Sequence, residues 1–320
     1  MARYIVRRIL WGILLLVLVS ALTFLIFDVF PSANPAQLRA GRNASPAIIH
    51  HITVELGLNH SLPVQFWDYM KGIFLHFNFG YSYYSQQSVL SLIVNRLPAT
   101  LSLTVGAVVL WVLAGIPVGI ISAIKRGSFL DRAAMGVALT FVSMPVFWLA
   151  LILLYFFASD IGKFPILPGA NTYVGLTSDP GKWFTSLILP WLVLAATQAA
   201  IYSRLLRGNL LEVMGEDYIR TARAKGLPER RVIWRHGVRS AITPVVTVLG
   251  LDIGGLLGGA VLTETVFEIH GIGLLNYDAI LHSDFPIVQG TTLLAAMFII
   301  VANIVVDIGY AYLDPRVKYS

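Results

Sequence analysis

Six long apolar stretches constrain this chain more than any other feature. A bilayer crossing takes about 20 mostly apolar residues, because the hydrocarbon layer is about 30 Å thick and a helix rises about 1.5 Å per residue. Stretches of that kind cover residues 9–30, 99–124, 133–158, 186–206, 241–266 and 287–313. Lipid offers no partners to backbone N–H and C=O groups, so such stretches must form helices. The expected fold class is all-α, a polytopic integral membrane protein with six transmembrane helices in a single domain over residues 1–320. Composition agrees, with 12% charged residues, 57% hydrophobic residues and a mean hydropathy of +0.74. A soluble domain is about a quarter charged, so soluble enzymes, disordered regulators and nucleic-acid-binding domains are poor fits. Pro117, Pro145 and Pro190 fall in or beside the stretches, where neighbouring helices can satisfy the freed carbonyls.

Basic residues give the orientation. Arg3, Arg7 and Arg8 precede the first stretch, and Lys125, Arg126 and Arg132 flank the turn after the second. Arg204, Arg207, Arg220, Arg223, Lys225, Arg230, Arg231, Arg235 and Arg239 cluster around the loop 207–240, and Arg316 and Lys318 lie in the tail. Together they make 17 of the 23 lysines and arginines on one side, opposite the long loop 31–97. The positive-inside rule then puts both termini and loop 207–240 in the cytoplasm. The pI near 9.5 therefore reads as attraction to anionic lipid or an inner-face partner, with no nucleic acid. A basic start followed by an apolar run also looks like a secretory signal. The run here is about 20 residues, longer than a signal h-region, and no clean small-x-small site follows, so an uncleaved first span is expected.

Several chemistries lack their residues. There is no cysteine, which excludes disulfides, thiolate metal sites and cysteine nucleophiles. Gly162-Lys163 and Gly181-Lys182 lack the upstream glycine and following Ser or Thr of a nucleotide-cradling loop. No HExxH or GxSxG occurs. His50, His51 and Glu55 read as a solvated helix face, because a metal needs converging ligands. No metal site and no catalytic residue is expected.

Charge inside the stretches is scarce. A carboxylate at the bilayer centre costs about 2.5–3.5 kcal/mol on insertion scales, so Asp252 must face protein or a water-filled cavity. It lines a pathway or makes an interhelical hydrogen bond. Asp307 and Asn303 read as packing groups. Gly250, Gly254 and Gly258, with Gly255 and Gly259, form GxxxG spacings that leave a flat strip for close helix approach. That strip is either internal packing, an interface or a pathway wall. Gly115 and Gly119 repeat the spacing once.

The loop 207–240 carries the most information. Glu216-Asp217 opens a short helix through Tyr218, Arg220, Thr221, Ala222, Arg223, Ala224 and Lys225, which Gly226 and Pro228 stop. A second helix fits over 229–239. Small alanines suit docking in a protein groove better than anchoring in lipid, where bulky apolar residues are preferred. This segment resembles the coupling loop of ABC-importer permeases, and Tyr-Ile-Arg-Thr-Ala-Arg-Ala-Lys-Gly is close to the oligopeptide/dipeptide/nickel permease group. Arg96-Leu97-Pro98-Ala99-Thr100, Gly80 with Ser82, residues 249–259, Leu262-Thr263-Glu264-Thr265-Val266-Phe267, Gly271-Ile272-Gly273 and Leu313-Asp314-Pro315-Arg316 carry the same resemblance along the whole chain. The basic N-terminus leading into the first span is similar to the first permease of the pair.

The resemblance implies a non-enzymatic pathway subunit of an ATP-driven importer, for di- or oligopeptides, a nickel chelate or another small solute. It implies a second homologous permease, two cytoplasmic ATP-binding subunits and an extracytoplasmic substrate-binding protein, in a bacterial or archaeal plasma membrane. ATP and Mg would sit in the partner subunits, with no cofactor in this chain. Residues Glu216 to Gly226 would couple to the ATPases, and Gly250, Asp252, Gly254, Gly258 and Glu264 are pathway or interface candidates. A self-sufficient secondary carrier is the alternative of another class. Carriers frequently show internal repeats and charged, interrupted helices, and the two halves of this chain show no clear repeat.

Overall fold

Prolines set many of the helix boundaries. Asn34, Ser45 and Asp179 each precede a proline at a helix start, and their side-chain oxygens accept from the backbone N–H of Ala36, Ile48 and Lys182. A short polar N-cap followed by proline is a strong start signal, since the first turn has no partner for its N–H groups anyway. The computed structural model describes residues 2–30, 34–41 and 44–313, so the tail residues Arg316 and Lys318 lie outside the described residues.

In chain order the helices are α1 (Ala2–Phe24), continued by a π-helical turn at Leu25–Val29, then α2 (Pro35–Ala40), α3 (Pro46–Glu55), α4 (Leu62–His76) and α5 (Val89–Ile124). α6 (Phe129–Ser143), α7 (Val146–Phe157) and α8 (Pro180–Val213) follow. The basic loop holds α9 (Asp217–Ala224), then α10 (Glu229–Arg231), π-helical Val232–Val238 and α11 (Arg239–Ala241). The chain ends through α12 (Thr243–Leu257), α13 (Val261–Val266), α14 (Ile272–Leu281) and α15 (Phe285–Leu313). Among the described residues, four helices are long and apolar enough to cross a membrane: Val6–Val29, Val89–Ile124, Pro180–Val213 and Phe285–Gly309. Two bent pairs raise the number of candidate crossings to six.

The bent pairs are Phe129–Ser143 with Val146–Phe157, at 103°, and Glu229–Ala241 with Thr243–Leu257, at 43°. Residues 133–158 are not one straight helix, because α6 and α7 meet at 103° across Met144-Pro145. Met144 takes an extended ψ of 128°, as a residue before proline is driven to do, and Pro145 has no N–H for the preceding turn. Residues 241–266 divide as well. α12 stops at Leu257, Gly259 takes φ +122°, and α13 begins at Val261. A side chain at Gly259 would come within 2.6 Å of the Gly273 Cα. The second span also starts earlier than residue 99, since α5 begins at Val89 and runs through Pro98. The connecting segment after the first span therefore ends near Ser88 and holds α2, α3 and α4.

The core sits where α5 packs along α8. A Cβ on Gly115 would lie 2.9 Å from the Ala199 carbonyl oxygen, and one on Gly119 would lie 2.7 Å from that of Ser203, so glycine is what lets these backbones meet. Trp191 donates through Nε1 to the Ser102 carbonyl at 3.0 Å. The buried rings of Trp111 and Tyr202 meet at 5.9 Å between centroids. At one end of the bundle Arg8 of α1 pairs with Asp307 of α15 at 3.0 Å. At the other, the buried Asp284 before α15 accepts from Ser82 Oγ at 2.5 Å and the Tyr83 N–H at 3.0 Å, pinning the turn ahead of α5.

Candidate functional site

α9 is built from local signals at both ends. Glu216 and Asp217 put negative charge at its start and Arg223 puts positive charge in its last turn, each favoured by the helix dipole. Gly226 closes it with φ +74°. Its N–H donates to the Arg223 carbonyl at 2.9 Å, and the Leu227 N–H reaches the Ala222 carbonyl at 3.4 Å. That left-handed closure is the usual one for glycine.

One face of α9 turns inward. Ile219 and Ala222 are buried and pack with Val232, Met214 and Leu227, so Ala222 faces its own chain rather than an outside groove. The opposite face is exposed and consists of Glu216, Asp217, Tyr218, Arg220, Thr221, Arg223, Ala224 and Lys225. Arg220 pairs with Asp217 at 3.2 Å and Arg223 with Glu229 at 2.7 Å. Exposed pairs of this kind contribute little stability, but they hold the guanidinium groups in place. Gly237 lies against Met214 and Leu210, and Asn209 donates to the Ala241 carbonyl at 3.3 Å. These contacts seat the π-helical segment and α11 on the end of α8, and α9 packs on that segment through Val232 and on Met214 just past α8. With 34 residues, α8 is about 51 Å long against a hydrocarbon layer of about 30 Å, so it extends past the bilayer to carry α9.

The interior candidates separate by environment. The glycine strip is used up inside the chain. A Cβ on Gly254 would come 2.9 Å from Ile299 Cα, one on Gly258 would come 2.6 Å from Ala295 Cβ, and one on Gly250 would overlap Val306. Gly250, Gly254 and Gly258 thus seat α15, while Gly255 is exposed with open space around it. Asp252 faces the other way. It is half-buried and accepts from the Tyr202 hydroxyl of α8 at 2.7 Å. Glu264 is fully buried. It accepts from Thr100 Oγ1 at 3.0 Å, the Ala260 N–H at 3.2 Å and the Leu274 N–H at 2.9 Å. Thr100 Oγ1 in turn accepts from the Ile272 N–H at 2.8 Å. A Cβ on Gly271 would lie 2.5 Å from the Glu264 carboxylate. Glu264 therefore knots α5, α13 and α14 together and faces no passage.

Sequence comparison gives this arrangement its context. The family described as "Binding-protein-dependent transport system inner membrane component" matches residues 115–319, and its N-terminal companion matches residues 1–104. A protein of Brucella abortus (strain 2308) named as a peptide transport system permease is 40% identical over 320 residues, covering all of both chains. The dipeptide transport system permease protein DppB of Escherichia coli (strain K12) is 38% identical over 340 residues, again covering both chains fully. DppB of Alkalihalophilus pseudofirmus is 38% identical over 335 residues with the same coverage.

This chain belongs to the binding-protein-dependent transport permease family. It is a multi-pass inner-membrane component of an ABC transport system and not an enzyme. In a membrane protein, a carboxylate within the membrane is a place where function concentrates. Tyr202 escaped the sequence signals because a lone tyrosine in an apolar stretch reads as core. Asp284 did so because it lies in a connection. Ile219 and Ala222 were legible in principle, since residues three apart share a helix face.

One prediction follows from the Tyr202–Asp252 bond. Tyr202→Phe and Asp252→Asn should each lower the assembled amount of the permease modestly, because a membrane hydrogen bond between helices averages about 0.6 kcal/mol. Uptake per assembled complex for Asp252→Asn and Asp252→Leu measures any added pathway role. Unchanged uptake in both would remove Asp252 from the pathway.

Proposed function

We propose that this permease is the first-type subunit of a pair that forms the pathway of an ATP-driven importer for di- or oligopeptides in a bacterial or archaeal plasma membrane. Its partners are a second homologous permease, two cytoplasmic ATP-binding subunits that hold ATP and Mg, and an extracytoplasmic substrate-binding protein. Residues 1–320 act as a single permease domain, and both termini and the loop carrying α9 face the cytoplasm. The carrying observation is the exposed face of α9 from Asp217 to Lys225, seated by Ile219 on Val232 and on Met214 at the cap of α8. A short rigid helix fixed to a span can pass displacement in both directions, which an alternating-access cycle driven by ATP requires. Peptide as substrate is supported by the names of relatives aligned over the full chain. The basic asymmetry supports the orientation.

The orientation has a direct test in this cysteine-free sequence. Single cysteines at Asn59 and Lys225 should react with a membrane-impermeant thiol reagent from opposite sides, Asn59 from outside in intact cells and Lys225 only in inverted vesicles. Labelling of both from outside would overturn the proposed topology. Co-purification of Lys225→Cys with two P-loop subunits, and its crosslinking to one of them, would identify α9 as their contact.

A further inference from the structure

An ion pair outside the coupling helix stands at the same end of the bundle. Asp131, near the start of α6, has its side chain only 4% exposed. Arg207 of α8 donates to it through both Nε, at 2.7 Å, and Nη2, at 2.9 Å. The carboxylate also accepts from the Ser122 hydroxyl of α5 and from the Gly127 N–H at 2.8 Å. Every strong acceptor position of Asp131 is thus engaged by α5, the α5–α6 turn or α8. A buried pair of this kind adds little net stability compared with apolar packing, while its bidentate geometry fixes orientation and register.

The pair fixes register at the α9 end of the α5–α8 contact, while the bond from Trp191 Nε1 to the Ser102 carbonyl fixes it toward the opposite end. Between these two points the helices meet through Gly115 and Gly119 against Ala199 and Ser203, with Trp111 packed on Tyr202. Arg207 lies less than two turns before α8 ends at Val213, and α9 follows directly. A displacement of α9 therefore reaches Arg207 before it reaches the rest of α8.

Resting on the proposed coupling role of α9, we infer that the Asp131–Arg207 pair is a positioning clamp that makes α5 and α6 move with α8 when the ATPases move α9. Without it, the last turns of α8 beyond Ser203 would move apart from α5 and α6. ATP would then be hydrolysed with less movement of the pathway, because α6, which runs to the Pro145 bend, would stay behind.

The test uses the complete complex of both permeases, the ATPases and the binding protein in lipid vesicles, with radiolabelled alanyl-alanine as probe. The ratio of uptake to ATP hydrolysed is measured for Asp131→Asn, Arg207→Met and the double variant. The single variants should lose roughly tenfold in that ratio, in the range of ordinary coupling energies between sites. Removing one partner leaves a buried unpaired group, so single variants can also assemble poorly. The double variant leaves no orphan charge and should assemble like the native chain while keeping the low ratio. A native ratio in the assembled double variant would overturn the clamp. So would uptake and hydrolysis that fall only in proportion to assembled complex. The native chain in the same vesicles separates the two levels. Uptake there that does not follow ATP overturns the importer reading and the clamp with it, whereas native coupling with unaltered variant ratios overturns the clamp alone.

Discussion

Replacing Gly226 with valine should reduce uptake and binding-protein-stimulated ATP hydrolysis together, by about tenfold or more. The position has φ +74°, and a Cβ there would meet no atom within 4 Å. The effect therefore comes from backbone strain and not from crowding. A left-handed residue with a side chain costs about 1–2 kcal/mol, and a β-branched one is a genuine outlier there. The chain relieves that strain by unwinding the last turn of α9, which displaces Arg223 from Glu229 and re-aims the exposed face. Substrate capture by the separate binding protein should be unchanged. Gly226→Asn is the matched control, since asparagine tolerates the left-handed region, and it should keep most activity. Full stimulated hydrolysis by a normally assembled Gly226→Val complex would show that α9 does not couple the ATPases to the pathway.

Removing the Glu264 carboxylate should have the largest effect on assembly. Glu264→Ala leaves the Ala260 and Leu274 N–H groups and the Thr100 hydroxyl without their acceptor in a fully buried place. Each buried polar group left unmade costs about 1–3 kcal/mol, so the loss should exceed roughly 3 kcal/mol, enough to deplete the folded chain. Glu264→Gln keeps one acceptor oxygen but turns an amide N–H₂ toward a backbone donor, and its defect should be intermediate. The melting temperature and the yield of assembled complex in mild detergent measure both. A native melting temperature for Glu264→Ala would mean that α5, α13 and α14 are held by apolar packing alone.

The helical fold was legible because the length of an apolar run is a direct physical requirement of the bilayer. Where helices break was less legible. Pro98, Pro117 and Pro190 all sit inside continuous helices, whereas Pro145 ends one. Proline has the same local cost in each, and the outcome depends on whether neighbours satisfy the carbonyl it frees. That is a tertiary fact. The ends of α9 could be read from Asp217 and Gly226, whose signals are local. The glycine strip announced a close helix contact, but a small-residue spacing does not name its partner, and Ala295, Ile299 and Val306 of α15 supply it here. Asp252 was conspicuous by its cost in lipid, while its partner Tyr202 lies 50 residues earlier and carried no signal of its own. The same holds for Asp131 and Arg207, which are 76 residues apart and which a charge count assigns only to a side of the membrane.

The Arg8–Asp307 pair has a consequence for biosynthesis. Its two residues are 299 positions apart in the chain, so α1 emerges from the ribosome long before its ionic partner on α15. Synthesis runs at roughly 5–20 residues per second, and α1 therefore waits in the bilayer for tens of seconds before Asp307 is made. The contact between α1 and α15 therefore forms only after the other described helices have been made. A product that stops before α15 leaves α1 held, among the described residues, only by α4, through Phe24 on Phe66 and Tyr69, and leaves the glycine face of α12 open. Such a product presents the cell's quality-control machinery with two recognisable wounds at once.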